Sequence, residues 1–236
     1  MAQANDRHYC VVVSTQEQGA NDKAALLNEA RWNPGDEIRV RFVAGDTDLQ
    51  NRVKTVANRW TGPDMANLTF LFVESGDAEI RVDFLEGDGS WSYLGTQCRD
   101  IPADQATMNY GWLDAESTDD ELQRVVLHEF GHALGLIHEH QNPEGGIDWN
   151  VPAVLADLGG PPNNWDEQTA RHNVLDHYAP DAVTATEVDA ESIMMYPIPA
   201  SWNNDGFSAD MNTDLSEKDK ELIREVYAHP SPEPVD

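Results

Sequence analysis

The sequence predicts an α+β domain over residues 31–229, and three features predict it. Short segments with the alternation of half-buried strands crowd the stretch before residue 115. A helix signature follows, Thr118-Asp119-Asp120-Glu121, with apolar residues behind it at helical spacing. From residue 136 onward, loops rich in Gly, Pro and Asn take over, until a last amphipathic run ends before Pro230. The upper part, 31–135, is therefore β-rich and ends in a helix. The lower part, 136–229, is loop-rich and closes on a C-terminal helix. At 236 residues with 40% hydrophobic content, one sizeable core is within reach.

Residues 1–30 read as an N-terminal extension or the remnant of a pro-segment. A short apolar run, Tyr9 to Val13, precedes a polar stretch, and Lys23 to Ala30 has helical composition. Trp32-Asn33-Pro34-Gly35-Asp36 is a turn, and Ile38 to Val43 alternates apolar and charged residues as a strand. Asp46 can cap a helix in which Leu49, Val53, Val56, Ala57 and Trp60 share a face, and Gly62-Pro63 stops it. Leu68 to Val73 and Ala78 to Phe84 are strands. After the turn Gly87-Asp88-Gly89, Ser90 to Thr96 forms another, and Thr107 to Leu113 a fifth. Thr118 opens the central helix, with Leu122, Val125, Val126, Ala133 and Leu134 on its apolar face. Asn142 to Gly146 and Gly159 to Asn164 are loops, and Asp166 to Tyr178 is compatible with a helix. Ser216 starts the last helix, with Leu222, Ile223 and Val226 on one face, and residues 230–236 are a tail.

The net charge is −28, from 43 acidic and 15 basic residues, so nucleic acid and anionic membrane surfaces would be repelled. No window approaches the roughly 18 apolar residues of a membrane-spanning helix. Only Lys23, Lys54, Lys218 and Lys220 are lysines; an acidic, lysine-poor surface fits solubility, and also a saline or extracellular setting. No basic flank or apolar core is visible at the N-terminus, so an extracellular location would be reached without a signal peptide visible in this chain. Cys10 and Cys98 allow one disulfide, or free thiols. A third reading has the Cys10 thiolate, ahead of the core, capping a metal and holding the protein latent.

Chemistry concentrates in His128-Glu129-Phe130-Gly131-His132-Ala133-Leu134-Gly135-Leu136-Ile137-His138, which reads H-E-x-x-H-x-x-G-x-x-H. Residues four apart on a helix share a face, so His128 and His132 can aim both imidazoles at one metal. Gly135 can leave the helix with positive φ and swing His138 back as third ligand. Three histidines leave a fourth position open, the mark of a catalytic zinc. Glu129 stands where it can take a proton from the attacking water. His140 is an alternative third ligand that breaks the spacing. His8, His172, His177 and His229 read as surface residues.

Downstream stands Ser192-Ile193-Met194-Met195-Tyr196-Pro197. Together with the zinc motif, it resembles the metzincin metallopeptidases, and its S-I-M-x-Y form is most similar to astacins. The resemblance implies a twisted, mostly parallel sheet with two long helices above the zinc cleft. It also implies one catalytic zinc, Met194 as the apolar floor beneath it (Met195 being the alternative), and Tyr196 as a ligand that can swing away and stabilise an oxyanion. The strand near Tyr93, Leu94 and Gly95 would then form the cleft edge that pairs with substrate backbone, or else a plain interior strand. The pocket for the residue after the scissile bond would be walled by Pro197 to Asn204, with Trp202 able to narrow it. Glu139 resembles the astacin glutamate that receives a buried N-terminus. His140-Gln141-Asn142-Pro143 lacks the arginine and aspartates that follow in astacins, and the four-cysteine pattern is missing, so the likeness is astacin-like rather than to the core family. Acidic loops could take calcium, but no calcium motif is legible. The expectation is a monomeric zinc endopeptidase acting on protein or peptide substrates. The alternatives are a catalytically silent zinc-containing binding protein on the same fold and hydrolysis of a non-peptide amide.

Overall fold

Six strands and two long helices build the upper part of the molecule, as a computed structural model describing residues 8–13, 30–62, 64–142, 146–177 and 188–230 shows. The helical stretch expected over 23–29, Pro63, the middle of the loop at 143–145, Tyr178 and the tail 231–236 lie outside the described residues. The strands are β1 (Val11–Val13), β2 (Glu37–Phe42), β3 (Thr69–Phe72), β4 (Ile80–Asp83), β5 (Ser90–Tyr93) and β6 (Met108–Tyr110). They form one sheet in the order β1-β5-β6-β4-β2-β3. Pairing is parallel throughout except where β5 meets β6, with Ser92 opposite Met108. Burial follows position: Ile38 and Val40 alternate inward on β2, whereas Ile80, Arg81 and Val82 are all buried on β4, between two neighbours. The Arg81 guanidinium is tolerated there because backbone carbonyls of Ala78, Ile101, Pro102 and Gln105 accept its N–H groups at 2.5–3.2 Å.

Helix α1 (Thr47–Ala57) is capped by Asp46, whose carboxylate accepts from Asp48 N and Leu49 N, and it buries Leu49, Val53 and Ala57. Just past it, Trp60 donates its indole N–H to Leu127 O at 2.9 Å, tying α1 to helix α2 (Asp119–Ala133). Thr118 caps α2 through Glu121 N, and Asp119, Asp120 and Glu121 complement the positive end of its dipole. The expected reciprocal half of that capping box does not form. The Glu121 carboxylate turns instead to Arg124 and Trp112. From Arg124 to Ala133 every residue of α2 is buried, against the sheet on one side and the lower part on the other.

The lower part holds helix α3 (Val151–Leu158), helix α4 (Glu167–Ala170) continued by one wider turn over Arg171–Leu175, and helix α5 (Glu217–Val226). Helix α3 was not expected, because breakers flank it on both sides. It forms because Asn150 caps it and Pro152 sits in the first turn, where no N–H is needed. The strand expected over Ser90 to Thr96 stops at Tyr93, and Gly95–Asp100 is a 3₁₀ turn. Gly95 adopts φ +46°, and a Cβ there would lie 1.9 Å from the Ala30 carbonyl oxygen, so only glycine lets residue 30 approach. Residues 11–13, placed by sequence in the extension, are the edge strand of the sheet. Cys10 and Cys98 are both free and buried, so the disulfide reading is corrected to two thiols. Burial pushes the Cys98 thiol up to about 12.

Candidate metal centre

The end of α2 shapes the site. Gly135 has φ +93°, Gly135 N donates to His132 O at 2.8 Å, and Leu136 N donates to Gly131 O at 3.0 Å. This paired closure is a Schellman motif, the turn for which Gly135 was expected. The last helical carbonyls are not left bare: the Trp32 indole donates to Ala133 O at 2.8 Å and the Tyr227 hydroxyl to Leu134 O at 2.6 Å.

The turn returns the chain so that one nitrogen from each of His128, His132 and His138 lies within 4.8 Å of the others, all three rings buried. His140 is not in this group; it stacks on His138 at 5.2 Å while its Nε2 faces Asn173 O at 2.9 Å. Each of the three rings spends its Nδ1 on an acceptor: Ile193 O at 2.9 Å, Leu136 O at 2.8 Å and Gln141 Oε1 at 3.2 Å. The Gln141 amide is oriented by its own N–H₂, which donates to His172 O at 2.7 Å and Asp176 O at 2.8 Å. Acceptors without hydrogens require the proton on Nδ1, so each Nε2 presents a lone pair.

Those lone pairs face one another. His132 Nε2 lies 3.1 Å from Nε2 of both His128 and His138. With no hydrogen between them, such contacts repel unless a cation stands among the three. Ligands about 2.05 Å from a tetrahedral zinc lie about 3.3 Å apart, so the spacing fits. Burial, with the neighbouring ring adding to it for His128 and His138, lowers the imidazole pKa values; His132 is lowered to about 4. The rings are thus neutral near pH 7, as a ligand must be.

Met194 is packed against α2 at Gly131. A Cβ on Gly131 would meet Met194 Sδ at 2.4 Å, which explains glycine between the two helical histidines. The turn that carries Met194 is held from a distance: Asp219, in the cap of α5, accepts Ser192 Oγ at 2.6 Å and Ile193 N at 2.8 Å. Ile193 in turn holds His128, so α5 orients a histidine it never touches.

Glu129 is fully buried, and neither of its carboxylate oxygens has a well-formed hydrogen bond. Burial raises its pKa to about 8, opposed by the adjacent Cys10 thiol and the Arg124 charge. Burial, then Glu129, pushes the Cys10 thiol well above its ordinary value. The Tyr196 ring lies 4.3 Å from that of His138, and its hydroxyl donates to Cys10 O. A small cavity is lined by His128, Arg124, Ile193, Tyr196 and Pro197 together with His8, Tyr9 and Cys10. The edge expected at Tyr93, Leu94 and Gly95 exists as far as Tyr93, but β1 already covers it, with Val13 opposite Tyr93. Leu94 is buried with Val12, Ala30 and Ile137. Glu139 accepts from Asp189 N at 3.0 Å and Asn142 Nδ2 at 3.4 Å, and burial raises it to about 7.

A solved structure of myroilysin superposes with TM-score 0.83 at 41% identity, covering 87% of this chain and 99% of the other. This chain belongs to the astacin-like metzincin zinc metallopeptidases. A crystal structure of myroilysin at 37% identity covers 97% and 94% of the two chains, with TM-score 0.69. High choriolytic enzyme 1, a hatching enzyme zinc-protease from Oryzias latipes (medaka), shares the fold at 14% identity and TM-score 0.57, covering 85% of this chain and 95% of its own. The interstitial collagenase of Bos taurus is 28% identical over 102 residues, 39% of this chain. That match spans 21% of the collagenase. No family model matches the chain. As an astacin-like peptidase the chain is a zinc-dependent endopeptidase, with the mostly parallel sheet and helices of that α+β fold.

Several residues of this metallopeptidase site escaped the sequence. Gln141 and Asp219 act through other residues, and nothing local announces that. Arg124 was visible only as the residue one helical turn before His128. It is buried, and its guanidinium is held by Glu121 through Nε at 3.0 Å and Nη2 at 2.6 Å.

Proposed function

We propose that His128, His132 and His138 hold the catalytic zinc through Nε2, with Glu129 as general base and Tyr196 as oxyanion donor. The convergence of three Nε2 lone pairs carries this reading. Zinc held there supplies the Lewis acid that polarises a peptide carbonyl and lowers the pKa of a water molecule. Glu129, one residue after His128 and with the Cys10 thiol in the place a substrate would take, takes the proton of the attacking water and passes it to the leaving amine. The Tyr196 hydroxyl already donates to a peptide carbonyl, that of Cys10, and would donate equally to the oxyanion of a substrate. Met194 keeps the floor apolar and fixes α2 through its contact with Gly131.

Substrates are proteins or peptides laid along β5 by strand addition, with Tyr93 at the rim. In the described fold this place is taken by the chain itself. Val11–Val13 pairs with Trp91–Tyr93, and Cys10 lies between Glu129 and Tyr196. The chain is therefore latent until residues 8–13 leave, and an extracellular setting fits activation by trimming of residues 1–30.

The test is Glu129→Gln. The variant should keep stoichiometric zinc while kcat/KM on a peptide library falls at least about a thousandfold. Full activity in the variant would sink the mechanism, and the absence of any chelator-sensitive cleavage by the parent after trimming of residues 1–30 would sink the catalytic reading.

A further inference from the structure

We propose that the aromatic box now filled by Tyr9 is the pocket for the substrate side chain that follows the scissile bond, and that this peptidase selects tyrosine and phenylalanine there. The proposal rests on the peptidase reading above. Tyr9 is only 4% exposed, although it lies on a short segment attached through a three-residue strand. Its ring stacks on Trp202 at 5.4 Å and 27°, tilts against Tyr196 at 5.2 Å, and meets Trp165 edge-on at 6.3 Å. Its hydroxyl donates to Pro197 O at 3.1 Å. Trp202, which sequence could place in the pocket wall but not orient, forms one broad face of the box, and its indole N–H donates to Asp157 at 2.8 Å.

Two features tie the box to catalysis rather than to the latch alone. Tyr196 and Pro197, which touch Tyr9, also line the cavity shared with His128. Tyr9 is also the direct neighbour of Cys10, whose carbonyl oxygen takes the hydrogen bond assigned above to the oxyanion. A side chain one residue from the reacting carbonyl thus falls into the box. Strand β1 runs parallel to β5, so a substrate laid antiparallel brings the residue after its scissile bond to this place. The reversed direction also accounts for an intact peptide lying in the site, since carbonyl and amide nitrogen are exchanged along the cleft.

The chemistry of the walls ranks side chains. Flat faces favour an aromatic ring over an aliphatic one of equal area. The Pro197 carbonyl favours a donor at the ring's far end, and so tyrosine over phenylalanine. A carboxylate would face that carbonyl and the surrounding aromatic walls with no donor to meet it, so acidic residues rank last.

Full-length protein carrying Tyr9→Ala and Cys10→Ala, loaded with zinc, is assayed on peptides with Tyr, Phe, Leu, Ala or Asp after the scissile bond. Tyrosine should exceed leucine by about threefold or more and alanine by roughly 30-fold in kcat/KM. Adding Trp202→Ala should bring the Tyr-to-Leu ratio close to one, and Trp202→Phe should preserve it should the alanine variant not fold. A preference for Leu, Ala or Asp, or an unchanged ratio in a folded Trp202→Ala protein, overturns the proposal. Lack of chelator-sensitive cleavage, both in this variant and in protein trimmed of residues 1–30, would be a failure of the peptidase reading instead. N-acetyl-tyrosinamide, followed by tryptophan fluorescence, then decides the box alone. Saturable binding that N-acetyl-leucinamide does not match supports it, and equal or absent binding refutes it.

Discussion

Replacing Gln141 with leucine should loosen the proposed third zinc ligand and the fold beneath it together. Leucine matches the volume but removes three hydrogen bonds, to His138 Nδ1, His172 O and Asp176 O. Gln141 is 1% exposed, so the three groups are left without partners in a site that water reaches poorly. An orphaned buried group costs about 1–3 kcal/mol, and partial relaxation brings the sum to roughly 4 kcal/mol. In a chain of this size, each kcal/mol moves Tm by about 2–4 °C, so a fall of roughly 10 °C is expected by calorimetry. Freed from its acceptor, the His138 ring loses its fixed tautomer, and zinc affinity should drop about 10–100-fold in a chelator competition. Gln141→Glu separates the two effects. It keeps an acceptor for His138 and should hold zinc as tightly as the parent. It turns a donor into a charge facing two carbonyls and should melt as early as the leucine variant or earlier. Parental zinc affinity in Gln141→Leu, or lost affinity in Gln141→Glu, would refute the tautomer argument.

Cys10→Ala in the full chain should raise chelator-sensitive peptide hydrolysis several-fold, and unchanged turnover would remove Cys10 from latency. Gly95→Ala should destabilise by about 3 kcal/mol or more in urea titration, since a positive φ and a backbone contact at 1.9 Å both oppose the methyl group. The Thr96–Ala30 hydrogen bond at 2.8 Å should be lost with it. Burial raises the Glu79 and Glu121 carboxyls, but hydrogen bonds from Arg39, and from Arg124 and Trp112, outweigh it and hold both below 4.5. Their contribution is then fully present above about pH 4.5 and lost as pH falls through the lowered values. The urea midpoint should fall across that window, and a Glu79→Gln/Glu121→Gln variant should show a shallower fall.

What was legible in the sequence was local. Asp46, Thr118 and Ser216 each cap the helix they were expected to open, because a cap is written within four residues of the helix it starts. Gly135 takes its positive φ for the same reason. The errors share a cause as well. Helix α3 was hidden because flanking breakers dominate a local reading, although Pro152 in the first turn is compatible with a helix. The strand expected over 90–96 ends at Tyr93 because the carbonyl that packs against Gly95 comes from residue 30.

The sequence by itself singled out the three histidines proposed as zinc ligands, the adjacent Glu129 and the helix that carries them, since their placement depends on helical period and one turn. It also placed Met194 and Tyr196 in a second constellation. Only the tertiary structure decided which polar groups orient the three histidines. Ile193 O and the Gln141 amide reach their histidines through packing, and Asp219 reaches Ile193 from a helix at the far end of the chain. Packing likewise turned part of an apparent extension into an edge strand, Val11–Val13, and set His8, Tyr9 and Cys10 along the cavity beside His128. The physical reason is one of range. Backbone geometry repeats over a few residues and can be read along the chain, whereas a buried polar atom takes its partner from whatever the fold brings near.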